Sequence, residues 1–117
     1  MGHSFTTYTK QVQEPYFSLI KEKKKTIEGR LYRDDWRKIK VGDALRLTNP
    51  KTQEEILCQI TKLILVKTFK DLYLQCGKSL LPDTTEDEEP WKIYRKFFTA
   101  EDELKYGVIG IKLEVIA

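Results

Sequence analysis

Histidine is nearly absent: the one copy in 117 residues is His3, so a mechanism that needs an imidazole base or ligand inside a fold is excluded. Cysteine is scarce as well. Cys58 and Cys76 lack the spacing of a zinc-ligand set or a disulfide framework. Neither a metal nor a cofactor is expected. With no visible secretion signal, both are expected to be free or buried thiols in a reducing compartment, cytoplasmic or nuclear. No apolar run approaches the roughly 20 residues that a spanning helix needs, so no membrane-crossing segment is expected. Internal repeats and low-complexity tracts are missing too. The length accommodates one core and no second, so residues 1–117 are expected to form a single domain. Met1-Gly2-His3-Ser4 formally fits a loose myristoylation pattern. Residues 1–4 are instead expected to be disordered or a cloning remnant.

What the chain does have is charge, unevenly distributed. Residues 1–50 carry 11 Lys/Arg against 6 Asp/Glu, while residues 83–103 carry 3 against 8. A basic half suits a polyanionic partner. The acidic segment 83–89 is the one hint of a protein partner, against the simpler expectation of solvated charge. A monomer is expected.

Along the chain, Ser4 to Val12 alternates roughly and is rich in Thr and aromatics, which predicts a strand. Pro15 falls in the first turn of a short helix whose stripe is Tyr16, Leu19 and Ile20. Thr26 to Tyr32 predicts a strand. Arg33 to Lys38 is one turn, with Asp34 or Asp35 as its cap and Trp36 as its anchor. Ala44 to Thr48 and Glu55 to Thr68 are strands around an Asn49-Pro50 turn, and Lys62 demands a bulge to keep its strand in register. Thr68 with Asp71 opens a helix that Gly77 ends. Leu80 to Asp83 is an irregular link. Trp91, Tyr94 and Phe98 repeat at helical spacing after Pro90, and Thr99 with Asp102 opens another short helix stopped by Gly107. Ile109, Ile111, Leu113 and Val115 give the clearest strand. Five or so strands interrupted by short helices predict an α+β fold built on a small mixed β-barrel.

Lys23 to Arg30 packs four cations and one carboxylate between the first helix and the second strand. Within it, Lys25-x-x-Glu28-x-Arg30 resembles the signature of the ASCH domain family. Val41-Gly42-Asp43 and Tyr106-Gly107 before the closing strand are similar to further family features, so the resemblance covers nearly the whole chain. It implies a PUA-like barrel with short flanking helices. In one respect the chain departs from the family pattern: Lys23 stands where the family has Gly, and a reshaped helix exit is expected there.

Glu28 and Arg30 share one side of a regular strand, and Lys25 joins them if it belongs to the bend before that strand. Lys23, Lys25 and Arg33 are candidates for an RNA backbone, and Glu28 for accepting from a base amine or a sugar hydroxyl. Tyr16, Trp36 and Tyr94 offer rings but are better placed in the core. Tyr106 is the stacking candidate that the resemblance supports. A purely structural Glu28–Arg30 ion pair stays open as the alternative. The resemblance implies RNA or modified-nucleoside binding in RNA metabolism or transcription- or translation-related regulation. One branch of the family hydrolyses N4-acetylcytidine with the signature Lys and a Thr where this chain has Glu28, and ribonuclease activity is attributed to other members. A small hydrolase using an exposed Lys25 together with Glu28, and a protein-interaction module, are the alternatives.

Overall fold

Five segments of alternating or β-branched character pair into one sheet: β1 (Thr7–Gln11), β2 (Ile27–Leu31), β3 (Ala44–Thr48), β4 (Glu55–Val66) and β5 (Val108–Val115). The computed structural model describes residues 4–83 and 89–117. The strand order is β1-β3-β4-β5-β2. β1 is parallel to β3 and every other neighbouring pair is antiparallel. The mixed sheet curls into a half-barrel whose two edges, β1 and β2, do not pair with each other. Three helices fill connections: α1 (Tyr16–Lys21), α2 (Phe69–Cys76) and α3 (Ala100–Tyr106). Three 3-10 segments, Asp34–Arg37, Gly77–Ser79 and Pro90–Lys96, complete the described elements. Apart from Asp83 and Glu89, the acidic segment 83–89 lies outside the described residues, as do residues 1–3 of the expected disordered start.

Two cores flank the sheet. Inside the half-barrel, Ile109, Ile111 and Leu113 of β5 meet Phe17 and Ile20 of α1, Trp36, and the inward faces of β3 and β4. Up to the bulge β4 buries Ile56, Cys58 and Ile60; its register against β5 shifts between Ile60 and Lys62, the bulge that Lys62 required, and beyond it Leu63 packs half-buried against the same core. On the opposite face, Ile27, Leu31 and Val108 meet Phe69 and Leu72 of α2, with Leu80, Leu81 and Tyr94. This second core is why β2 and the first half of β5 are buried on both sides. It also makes Leu80 and Leu81 core residues within their irregular link.

Close approach of α2 depends on two glycines opposite each other in register, Gly29 and Gly110. A Cβ on Gly110 would lie 2.6 Å from Leu72 Cδ1, and one on Gly29 would lie 3.2 Å from Leu72 Cδ2 and 3.0 Å from the Tyr94 hydroxyl. Only glycine fits where another element packs this tightly on a strand.

Local chemistry sets the helix ends, and several differ from expectation. Pro15 precedes α1 as its N-cap instead of sitting in the first turn. The Glu14 carboxylate accepts from the Ser18 N–H and hydroxyl and so supplies the cap. The buried α1 positions are Phe17 and Ile20, with Tyr16 and Leu19 half-buried, since six residues suffice for a single inward stripe. Neither Asp34 nor Asp35 caps its 3-10 turn; Asp35 instead accepts from Lys10 Nζ at 2.8 Å. Thr68 and Thr99 do cap, accepting from Asp71 and Asp102 N–H. The Trp91 to Phe98 helix is a 3-10 segment followed by a turn. Its threefold repeat aligns Trp91 with Tyr94.

The exit of α1 is not reshaped by Lys23. Lys24 N–H reaches Leu19 C=O and Lys23 N–H reaches Ile20 C=O, the paired bonds of a Schellman motif. Lys23 adopts φ 64°, so it takes the left-handed conformation that glycine holds most easily. A Cβ there costs roughly 1–2 kcal/mol.

Candidate functional site

The α1 exit delivers Lys25 to the start of β2, and its side chain turns inward there. An exposed cleft lysine was expected here, yet Lys25 is 2% exposed. Its burial follows from local bonding. Lys25 N–H donates to Leu19 C=O, and the next residue, Thr26, donates to Ser79 C=O, which clamps the bend between α1 and the segment after α2. The Lys25 ammonium donates to Leu80 C=O. It lies 3.7 Å from Glu28 Oε1 and 5.7 Å from the centre of the Tyr16 ring.

Glu28 is 7% exposed and holds the centre of the cluster. Its carboxylate accepts from Gly29 N–H at 3.1 Å and from Arg30 Nη2 at 3.3 Å. Gly29 N–H lacks a strand partner on the free edge of β2, so Glu28 satisfies it. Arg30 also donates to Gln11 C=O at 3.0 Å and lies 5.1 Å from the Trp36 ring. One guanidinium therefore ties the β2 edge to the β1 edge across the open seam of the half-barrel.

Burial and charge oppose each other at this cluster. For Glu28, burial pushes the carboxyl up, but the Arg30 and Lys25 charges and the bonds from Arg30 and Gly29 outweigh it, so it stays below the usual glutamate value. For Lys25, burial dominates and pulls the ammonium below the usual lysine range, and the Glu28 charge offsets this only in part.

A cavity of about 140 Å³ opens at the seam. Lys25, Glu28, Gly29 and Arg30 form one wall, Gln11, Val12 and Gln13 from the end of β1 a second, and Tyr16, Ile93, Tyr94, Phe97 and Phe98 the rest. Phe97 is 47% exposed and meets Tyr16 edge to face at 6.3 Å. The two rings stand at the cavity's rim. Tyr94 sits deeper. Its ring stacks on Phe69 at 4.0 Å and 7°, and the 3-10 segment carrying it is pinned by Arg95, which donates to Glu103 Oε2 at 2.9 Å. Glu103 Oε1 in turn accepts from Phe69 N–H at 2.7 Å.

The residues expected to form the site thus divide among three places. Lys25, Glu28 and Arg30 come together. Lys23 lies outside the cavity, exposed on the bend. Arg33 and Tyr106 also lie apart from the cavity lining and pack on each other at 5.4 Å, with Asp102 of α3 3.6 Å from Arg33. The Gln11-Val12-Gln13 wall and Phe97 were missed by sequence reasoning. A Phe97-Phe98 doublet that a six- or seven-residue helical turn cannot bury on one face was the available signal for the latter. Among the described residues no cluster of His, Cys, Asp and Glu could hold a metal ion, and no helix is long and apolar enough to cross a membrane.

The curled five-stranded half-barrel with its short helices is a PUA-like fold of the ASCH type, and the ASCH domain model matches residues 11–117. The chain belongs to the ASCH domain family. It is similar to the crystal structure of the hypothetical protein PH0355, with 34% identity, 96% of this chain and 100% of that one covered, and a TM-score of 0.83. Protein PF0455 from Pyrococcus furiosus, solved by solution NMR, is 31% identical over 94% of this chain and 97% of its own, with a TM-score of 0.73. The crystal structure of ASCH from Zymomonas mobilis shares the fold at 14% identity and a TM-score of 0.67, covering 92% of this chain and 66% of that one. No curated protein matches the sequence.

Proposed function

We propose that the seam cavity binds one base of RNA or a modified nucleoside. The observation that carries this reading is that buried Lys25 and Glu28, with half-buried Arg30, line a cavity of ring size. At about 140 Å³, the space is close to the engineered cavity of about 150 Å³ that admits benzene. Tyr16 and Phe97 supply rim rings on which a base can stack, a contact worth roughly 1–3 kcal/mol. Glu28 retains acceptor capacity beyond its present donors, because a carboxylate offers about four lone-pair sites. An exocyclic amine or a sugar hydroxyl fits that vacancy in its bonding. Exposed Lys23 and Lys24 on the adjoining bend suit phosphate contacts that position without specifying.

Titration of the protein by NMR with cytidine, uridine, adenosine, guanosine, N4-acetylcytidine and a short single-stranded RNA tests this reading. Shifts are expected at Gly29, Arg30 and Phe97 amides, and RNA affinity is expected to fall with rising salt. Failure of all these ligands to perturb the seam overturns it.

Hydrolysis is the second reading, and the burial that pulls the Lys25 ammonium below the usual lysine range favours it, since more of the amine is then in the free-base form that can take a proton. Glu28 then stabilises the charged form after transfer. Turnover of N4-acetylcytidine or RNA above a Lys25→Met control supports this reading, and turnover equal to the control removes it.

A further inference from the structure

Every buried charged or polar side chain in the described core has a partner except one. Lys25 has Leu80 C=O, Glu28 has Gly29 N–H and Arg30, Asp43 has Thr6 and Lys40 N–H, Asn49 has Glu14 and Lys51 N–H, and Glu103 has Phe69 N–H and Arg95. The exception is the Tyr94 hydroxyl, which is buried with no hydrogen-bond partner among the described residues. Tyr94 is 7% exposed, and it lines the seam cavity together with Lys25, Glu28 and Gly29.

An orphaned hydroxyl in a native core calls for a reason, and three features argue against a packing accident. The ring stacks in parallel on Phe69, whose own ring is held in turn by Phe98 at 5.3 Å. The Arg95–Glu103 bond next to it holds the backbone. The β2 strand also keeps a glycine where a Cβ would stand 3.0 Å from the hydroxyl oxygen. Phenylalanine would fill the same ring position without stranding a polar atom. Burial, with the Glu28 charge added, pushes ionisation of this phenol well above the usual tyrosine value. It therefore keeps its proton at neutral pH and acts as a donor.

We propose that the Tyr94 hydroxyl is a specificity-determining contact that donates to a carbonyl oxygen of the heterocycle held in the seam cavity. This rests on the nucleoside reading of the cavity. The two poles of the site then read complementary features: Glu28 accepts from a ligand N–H, and Tyr94 gives to a ligand C=O. Rings that lack a carbonyl at the Tyr94 end leave the hydroxyl unpaired, as it is in the free protein, and forgo the bond that a carbonyl gains, which is the source of the discrimination. Because the ring is fixed by stacking, the donor cannot swing to find another acceptor.

The test compares wild type with Tyr94→Phe for binding of the tightest nucleoside of the panel above, beside analogues in which each ring carbonyl oxygen is replaced in turn by sulfur, a much weaker acceptor. Wild type is expected to bind one thio analogue about 10- to 100-fold more weakly than its oxygen parent. Tyr94→Phe is expected to lose a similar factor toward the parent, to bind parent and analogue alike, and to melt no lower than wild type. A Tyr94→Phe protein that binds and discriminates like wild type overturns the assignment while the nucleoside reading stands. So does a wild type indifferent to every sulfur replacement, an outcome that needs no variant. Wild type that binds none of the nucleosides overturns the nucleoside reading and this assignment with it.

Discussion

Replacing Glu28 by Gln removes one charge from the seam cluster at nearly constant volume. Lys25 then faces a buried environment with Leu80 C=O and the Tyr16 ring as its remaining neighbours. Arg30 keeps Gln11 C=O and the Trp36 ring and is about a quarter exposed, with a side-chain accessibility of 24%. Breaking one partner of a buried pair costs about 3–5 kcal/mol. Partial exposure of Arg30 and the hydrogen-bonding capacity of the new amide reduce this, so the expected loss is about 2–4 kcal/mol. For a chain of this size each 1 kcal/mol moves the melting temperature by roughly 3–5 °C, giving a fall of roughly 6–20 °C. Urea unfolding at neutral pH measures it directly. The pH dependence checks the cause. The Glu28 carboxyl is depressed in the fold, so its contribution is complete above the unfolded value of about 4.3 and disappears as pH falls through the lower folded value. The gap between wild type and Glu28→Gln should therefore close in acid. A Lys25→Met/Glu28→Gln double variant should recover part of the loss, because no ammonium is left stranded. A Glu28→Gln protein within about 0.5 kcal/mol of wild type across this range would refute the picture of a buried, mutually dependent cluster.

Lys23→Gly should raise stability by about 0.5–1 kcal/mol in denaturant melts, since the left-handed φ of 64° at the α1 exit favours glycine, less the entropy glycine loses on folding. Gly110→Ala should lower stability by about 1–3 kcal/mol, because the new Cβ would meet Leu72 Cδ1 at 2.6 Å; an unchanged melt would mean that α2 is free to retreat from the sheet. Thiol labelling of the native protein should reach half-buried Cys76 first, while Cys58, buried and with its thiol pushed up to about 11, reacts only on unfolding.

Most strand positions were legible because each strand has an inward face and a period of two. The β4 bulge was legible for the same reason, since Lys62 could not occupy an inward position. What escaped was the second core. Gly110 reads as an outward position in the β5 alternation, and nothing local announces that Leu72 will cover it. Burial of Lys25 was hidden in a similar way, because its partner Leu80 C=O lies 55 residues along the chain. A lysine beside three other cations looks like solvated charge. The joint position of Lys25, Glu28 and Arg30 could be anticipated from strand geometry plus one bend. The β1 wall of the cavity could not, because it depends on two strands that never pair.

That unpaired seam links the fold to the site. A half-barrel leaves two edges whose backbone groups need partners, and here two side chains of β2 provide them: Glu28 for Gly29 N–H, and Arg30 for Gln11 C=O. The same atoms face the cavity. Arg30 thus has two jobs, as counter-charge to Glu28 and as the strand-to-strand tie to Gln11 C=O. Arg30→Lys, which keeps the charge but loses the fork that reaches Glu28 and Gln11 together, should separate the two roles: it leaves an ion for Glu28 and opens the seam. Hydrogen exchange at the β1 amides is the readout, with faster exchange expected in Arg30→Lys and unchanged protection counting against the tie.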